Sequence, residues 1–286
     1  MTPQDLLLNA LDDRHDDYRR RHSRCRREIT ETGVHDLRVA TRRLLALIDL
    51  LRALDPRPRL QKLREALKAQ LDELGDVRDV QVILAEIEER KGILPALGPL
   101  EEYLQGRERR LLKTAARRVR HFKVGEVSRR IANTLAAMGA RGFGPGLAAR
   151  LFAAMDDVFE RVSRRQARVD PAAPASIHRV RVAFKRFRYM VEIIHPILPG
   201  YPGTHFDAMH EYQASMGHIG DVGLLLSALE EFAADHGAYD PQPMISLYER
   251  RQAELIAAYV GNMHQLAAFW RSGPESSFPW EVGGGY

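Results

Sequence analysis

The chain of 286 residues is poor in several things, and each shortage removes a class of protein. Cys25 is its only cysteine, so neither an intrachain disulfide nor a thiolate metal cluster can form. A reducing cytoplasm is the expected compartment. No apolar run reaches the roughly 18 residues of a membrane-spanning helix. The opening stretch, MTPQDLLLNALDDRHDD, turns acidic early, and no signal peptide is expected from it. Sustained apolar–polar alternation between turn residues is missing, which argues against strands. Neither G-x-x-x-x-G-K-[ST] nor H-E-x-x-H occurs, so the common nucleotide and zinc-protease signatures are absent. Lysine is scarce too. It stands only at positions 62, 68, 91, 113, 123 and 185, and the rest of the 43 basic residues are arginine. Guanidinium grips phosphate oxygens bidentately, where ammonium is a compact point charge. A GC-rich genome would also enrich arginine, so composition alone does not decide the matter. The net charge of +5 and pI near 9.4 lean towards an anionic partner.

What the chain does have is a stretch that occurs twice. Residues 34–48 read VHDLRVATRRLLALI and residues 177–191 read IHRVRVAFKRFRYMV. Both fit H-x-x-R-V-x-x-[RK]-R. With each helical residue turning about 100°, His35, Arg38 and Arg42 share one narrow arc. Leu37, Thr41, Leu44, Ile48 and Leu51 share another. The second copy divides likewise, with His178, Arg181 and Lys185 on one side and Val180, Phe184, Phe187, Val191 and Ile194 on the other. Each copy is an amphipathic helix with a core face and a cationic stripe. An ordinary solvated face would mix Glu with Lys at i,i+4 spacing. Two stripes with so little acid read as a paired anion site.

Helix signals run through the rest. Thr2-Pro3-Gln4-Asp5 predicts a capped helix to about Arg27. Gly33 is expected to precede the first His helix, and Asp55-Pro56 to stop it. Further helices are predicted to about Leu74, over Asp76–Lys91, from after Pro99 to about His121, and over Val124–Met138. GARGFGPG at 139–146 is the linker candidate. Helices follow over 147–168, from a cap at Ser176 to Pro196, and near 204–216, 219–236 and 243–270. The tail past Arg271 is expected to be irregular. The linker separates similar halves: Leu74-Gly75 with Asp79-Val80 matches Met216-Gly217 with Asp221-Val222, and Glu108-Arg109-Arg110 matches Glu249-Arg250-Arg251. Three matches in one order imply an internal duplication. The expected divisions are 1–141, 142–271 and a tail, 272–286.

VHDLRVATRR at 34–43, IHRVRVAFKRFRY at 177–189, LGDVRD at 74–79 and MGHIGD at 216–221 together resemble the CHAD family, the conserved histidine α-helical domain. The likeness runs from about residue 5 to about 270. It implies an all-α fold of two pseudo-twofold-related four-helix bundles with a basic channel between them. It also implies binding of inorganic polyphosphate and association with polyphosphate granules. Arg78 departs from the symmetry, because its match is Gly220.

On that footing His35, Arg38, Arg42, His178, Arg181 and Lys185 are the expected central phosphate ligands. Arg43, Arg186 and Arg188 are the flanks, and Lys62, Lys68, Arg109 and Arg117 are more peripheral candidates. Arg38 and Arg181 are expected on polar arcs, away from the core. Asp79 and Asp221 are expected to orient arginines or cap helices. The arginines at 19, 20, 21, 24, 26 and 27 complement the C-terminal end of a helix dipole. The expected protein is a non-catalytic binder that needs no cofactor or metal and touches no membrane. Two alternatives stay open. One is a metal-dependent phosphatase using His35 and Asp36, although position 179 is arginine where the repeat would need an acid. Asp12-Asp13-Arg14-His15-Asp16 could hold Mg²⁺ in a D-D-x-x-D pattern, but lacks a matching second site. The other is sequence-independent nucleic-acid binding, for which stacking aromatics are absent from the cationic faces apart from Tyr189.

Overall fold

The computed structural model describes residues 1–90, 92–237 and 239–282, and among them there is helix and no strand. Lys91, the expected end of the helix from Asp76, and residues 283–286 of the tail lie outside the described residues. The order is α1 (Pro3–Arg27), α2 (Glu31–Leu54), α3 (Pro58–Glu73), α4 (Gly75–Arg90), α5 (Gly98–His121), α6 (Val124–Arg141), α7 (Leu147–Gln166), α8 (Pro174–Ile194), α9 (Thr204–Asp235), α10 (Gln242–Gly261) and the short α11 (Pro279–Val282).

Local signals fix several ends. The Thr2 hydroxyl accepts from the Asp5 amide and the Asp5 carboxylate accepts from the Thr2 amide, each at 3.1 Å, a reciprocal cap. Thr30 caps α2 by accepting from the Gly33 amide at 3.0 Å. That helix therefore begins at Glu31, before Gly33 rather than after it. Ser176 does not cap α8. The helix starts at Pro174, and the Ser176 side chain instead ties the Asp170 backbone. Between α6 and α7 the chain turns through Gly142, Gly144 and Gly146, whose φ values are 65°, 73° and 67°. Side chains are disfavoured at such positive φ, so the glycines make this connection possible.

The two His helices, α2 and α8, pack directly on each other, and α2 also packs on α1, α3 and α7. The expected apolar arcs are buried in both. From Leu44 onward α2 is buried over more than one face, with Ala46, Leu47 and Leu50 joining Ile48 and Leu51. One large apolar cluster takes residues from each of α1 to α10, with Val77 from α4, and from the C-terminal segment. A smaller one joins α4 and α5 to α9 and α10 through Val80, Ile87, Leu104, Val222, Leu229 and Tyr248. Both clusters draw on either side of the 139–146 segment, so the apolar packing is shared across it.

Three further expectations change, two at helix boundaries and one in the tail. The region expected as two helices near 204–216 and 219–236 is one helix, α9, running through Met216-Gly217. The matching Leu74-Gly75 is a true break between α3 and α4. The last long helix stops at Gly261 and continues as 3₁₀ turns over Met263–Phe269. Finally, the tail packs down as far as it is described. Phe278 is buried, its ring stacks on Trp280 with centroids 4.7 Å apart, and the Trp280 indole donates to the Pro199 carbonyl at 2.8 Å. Large aromatic surfaces gain enough from burial to hold a segment rich in Gly, Ser and Pro.

Candidate functional site

The junction between the two apolar clusters is polar. There α2, α4, α8 and α9 enclose a cavity of about 390 Å³. His35, Arg38 and Arg42 reach it from α2, and His178, Arg181 and Lys185 from α8. Arg78 and Asp79 line it from α4, and Asp221 from α9. Five cations thus face two carboxylates. Among the described residues no carboxylate comes within ion-pair distance of Arg42, Arg181 or Lys185. An unpaired cluster of this kind is costly in a free protein, because like charges repel and burial strips their water.

Its proton affinities carry that cost. Burial, followed by Arg42, Arg181, Arg188 and Arg38, pushes the Lys185 ammonium down to about 7. Burial, then Arg42, lowers Arg38 to about 10. Arg42 is lowered as well, again chiefly by burial, with Arg181 adding to it. His35 and His178 fall below the ordinary imidazole value, first through burial and then through the neighbouring cations. Asp79 and Asp221 move the other way. Burial raises both, and Arg38 and Arg181 respectively offset part of it. Among the described residues neither acid bonds an arginine or caps a helix, in contrast to the expectation; they act on the cavity through their field.

The matched arginines are not equivalent. Arg38 is buried, at 7% exposure, and its Nη1 donates to the Leu71 carbonyl at 2.8 Å. That carbonyl lies in the last turn of α3, where the helix break leaves acceptors unpaired. Arg181 faces an unbroken α9 and finds no such carbonyl. Its guanidinium lies over Gly217, where an added Cβ would sit 3.5 Å from Nη2. The Nε atoms of Arg38 and Arg181 are buried without a partner.

The expected flanks are engaged elsewhere. Arg43 approaches Glu192 at 3.3 Å and Arg188 reaches it at 3.1 Å, while Arg188 also donates to Gln213 at 3.0 Å. Arg186 lies 3.2 Å from Asp49, a buried carboxylate that Arg64 and Arg52 also engage. For Arg43 and Arg186 the approach is ionic and not an aligned hydrogen bond, since Nε has no hydrogen-bond partner in either. The peripheral candidates do not line the cavity. Lys68 is exposed and pairs with Asp72 at 2.5 Å, an i,i+4 contact. Lys62 lines a different cavity, beside Arg118 and Lys123. Arg109 and Arg117 are exposed on α5.

Two residues, one in the cavity and one outside it, carried weak signals. Arg78, set aside for its mismatch with Gly220, lines the cavity and pairs with Glu31 at 3.2 Å. Arg14 does not line the cavity but feels the charges of Glu192 and Arg43, its guanidinium lowered mainly by burial. It lies beside the buried stripe Leu7, Leu11, His15, Tyr18, which the acids around it obscure. Among the described residues no group of three or more His, Cys, Asp or Glu could hold a metal ion. Asp36 pairs with Arg21 at 2.6 Å.

A family model described as CHAD domain matches residues 9–230. The chain belongs to the CHAD domain family. A comparison with curated proteins found no match. Among solved structures, the CHAD domain from the plant Ricinus communis is similar, with a TM-score of 0.72 at 24% identity over 91% of each chain. PptA from Streptomyces chartreusis aligns with a TM-score of 0.59 at 16% identity, over 92% of this chain and 98% of that one. At these identities the likeness speaks for the fold. The all-α architecture of this CHAD chain agrees with it.

Proposed function

We propose that this protein binds inorganic polyphosphate in the cavity between α2, α4, α8 and α9, without catalysing a reaction on it. The observation that carries this reading is the set of cations without an ion pair among the described residues, Arg42, Arg181 and Lys185, facing one enclosed space. A phosphate chain brings a negative charge per residue and many acceptor oxygens, which these donors lack. Histidines 35 and 178 stand beside them, able to donate ring N–H groups. Family membership supports the reading, since polyphosphate binding is what the resemblance implies. Polyphosphate granules in the cytoplasm are the corresponding location. The nucleic-acid alternative has less support, because Tyr189 is only 3% exposed and is covered by Arg188 at 4.8 Å. A base could not stack on it. The phosphatase alternative has no three-ligand group among the described residues.

Calorimetric titration with polyphosphate of defined length tests the proposal. Arg42→Ala with Arg181→Ala should weaken binding by at least about a hundredfold, since each charge-assisted contact is worth about 1.5–3 kcal/mol. Circular dichroism should show an unchanged helical fold. A folded double variant that binds as tightly as the parent would put the site elsewhere. Release of orthophosphate by the parent, dependent on added divalent metal, would refute the non-catalytic reading.

A further inference from the structure

A wider cavity, about 990 Å³, lies where the end of α1 meets the start of α6. It contains the arginine run that the helix dipole seemed to account for. The dipole favours cations in that last turn, but partnering divides the run in two. Arg19, Arg20 and Arg21 pair with Asp16, Asp17 and Asp36. Arg24, Arg26 and Arg27 are exposed, and among the described residues no acid pairs with them or with Lys123 across the cavity. Helix α6 opens towards this space with no side-chain cap at Lys123, and the acid of its first turn, Glu126, is paired with Arg130.

One buried group points to a ligand. His22 lines the cavity at 4% exposure, and its Nε2 has no hydrogen-bond partner. Burying such an atom unpaired is unfavourable, and a polyanion in the cavity would favour its protonation, so that Nε2–H then donates to a phosphate oxygen. Burial, then Arg26, pushes this imidazole down to about 4, with the Val119 backbone opposing. Phe122 packs on the His22 ring with centroids 6.0 Å apart. Phe122 and Lys123 also line the neighbouring cavity beside Lys62 and Arg118, so the cationic surface continues from α1 across α6 to α3.

We infer that this groove is a second phosphate-chain site, using Arg24, Arg26, Arg27, Lys123 and His22 and none of the residues of the central cavity. It rests on the proposed function for the class of ligand alone. Phosphate oxygens suit the groove better than nucleobases do, because its cations are many and its one aromatic at the surface, Phe122, is half-buried and tilted on His22. The groove approaches the central site: Arg21 bonds Asp36, which does not line the central cavity but directly follows His35, which does. A long chain leaving the central cavity near His35 could then run on into the groove, gaining effective concentration from its first attachment.

The test uses the full chain and tripolyphosphate as a short probe. We expect two ions bound per protein. Arg24→Ala/Arg26→Ala/Arg27→Ala/Lys123→Ala, all at exposed positions, should leave one, and Arg42→Ala/Arg181→Ala should leave the other. The His22 ring nitrogen resonances should shift on titration in the parent and in the central-cavity variant, and stay fixed in the groove variant. A groove variant that binds as the parent does, while the central variant binds nothing, overturns the groove and leaves the central reading intact. The reverse pattern supports the groove and overturns the central reading. Binding in the groove with no change at His22 overturns its part in the site. Single-stranded DNA of matched charge displacing tripolyphosphate from the central-cavity variant at lower concentration than long-chain polyphosphate does would make the groove a nucleic-acid site and overturn the assignment.

Discussion

Replacing Lys185 with methionine should stabilise the free protein, and the effect should depend on pH in a defined sense. Methionine keeps the unbranched length and removes the charge. In the fold the ammonium is lowered from 10.5 to about 7, by burial first and then by Arg42 and Arg181. Each tenfold change in proton affinity is worth about 1.4 kcal/mol, so the full drop sets a ceiling of about 5 kcal/mol. Salt and small movements of the flexible side chain relieve part of it, and about 2 kcal/mol is the working expectation. Below pH 7 Lys185 is charged in both folded and unfolded chains, and the parent bears the whole penalty. Between pH 7 and 10.5 the unfolded chain binds the extra proton, so parent stability rises with pH and the advantage of methionine shrinks. Thermal melts at fixed ionic strength should put Lys185→Met about 5 °C above the parent at pH 6, with a much smaller gap at pH 9.5. An equal gap at both pH values, or a less stable variant at pH 6, would refute the claim that Lys185 is held charged against its surroundings.

Affinity should rise with polyphosphate length and then level off, because a longer chain engages cations of both α2 and α8 and the second engagement is intramolecular. Titrations at two ionic strengths should show a steep salt dependence for long chains. Arg181→Ala with Lys185→Ala should flatten the length series more than it weakens pyrophosphate binding; equal affinity for pyrophosphate and long chains would sink the shared cavity. Asp79→Asn and Asp221→Asn each remove a like charge from the path of the anion and should tighten binding by on the order of 1 kcal/mol. Burial raises both carboxyls despite the nearby arginines, so neither substitution should cost stability in melts at neutral pH, and weaker binding in both would show the acids to be orienting groups.

The fold class was legible because a helical period is a local property of the chain, and the arcs of α2 and α8 turned their apolar sides inward as the spacing required. Six of the central cavity residues were legible for the same reason. What was not legible depends on neighbours. Gly217 looked like Gly75, yet α9 runs through it while α3 ends before Gly75. A glycine lowers helix propensity by about 1 kcal/mol, which packing can override. Lys68 had its partner four residues on, at Asp72, and that pairing was readable. So was Arg188 with Glu192 at the same spacing, whereas the partners of Arg43 and Arg186 were not, since Glu192 and Asp49 reach them through tertiary geometry. Arg78 failed a symmetry test that the break at Gly75 makes irrelevant. Where one half breaks a helix and the other does not, matched positions need not keep matched duties.

Arg38 and Arg181 put that last point to experiment. The sequence treats them alike, and alanine at either should then cost the same. In the structure Arg38 is committed: buried, with Nη1 on the Leu71 carbonyl at the end of α3. Truncating it leaves that acceptor unpaired and opens space beside the helix end, a loss of about 1–3 kcal/mol of stability. Its guanidinium also has fewer donors left for a ligand. Arg181 has no hydrogen-bond or ion-pair partner among the described residues and rests over Gly217, so its donors remain available and its charge only adds repulsion to the free cavity. Arg181→Ala should therefore leave the melting temperature unchanged or raise it slightly, and should weaken polyphosphate binding more than Arg38→Ala does. Crossing the two readouts, urea midpoint against calorimetric affinity, separates the roles. If both variants lose stability and affinity in the same proportion, the break at Gly75 does not divide their work and the two stripes are functionally equivalent.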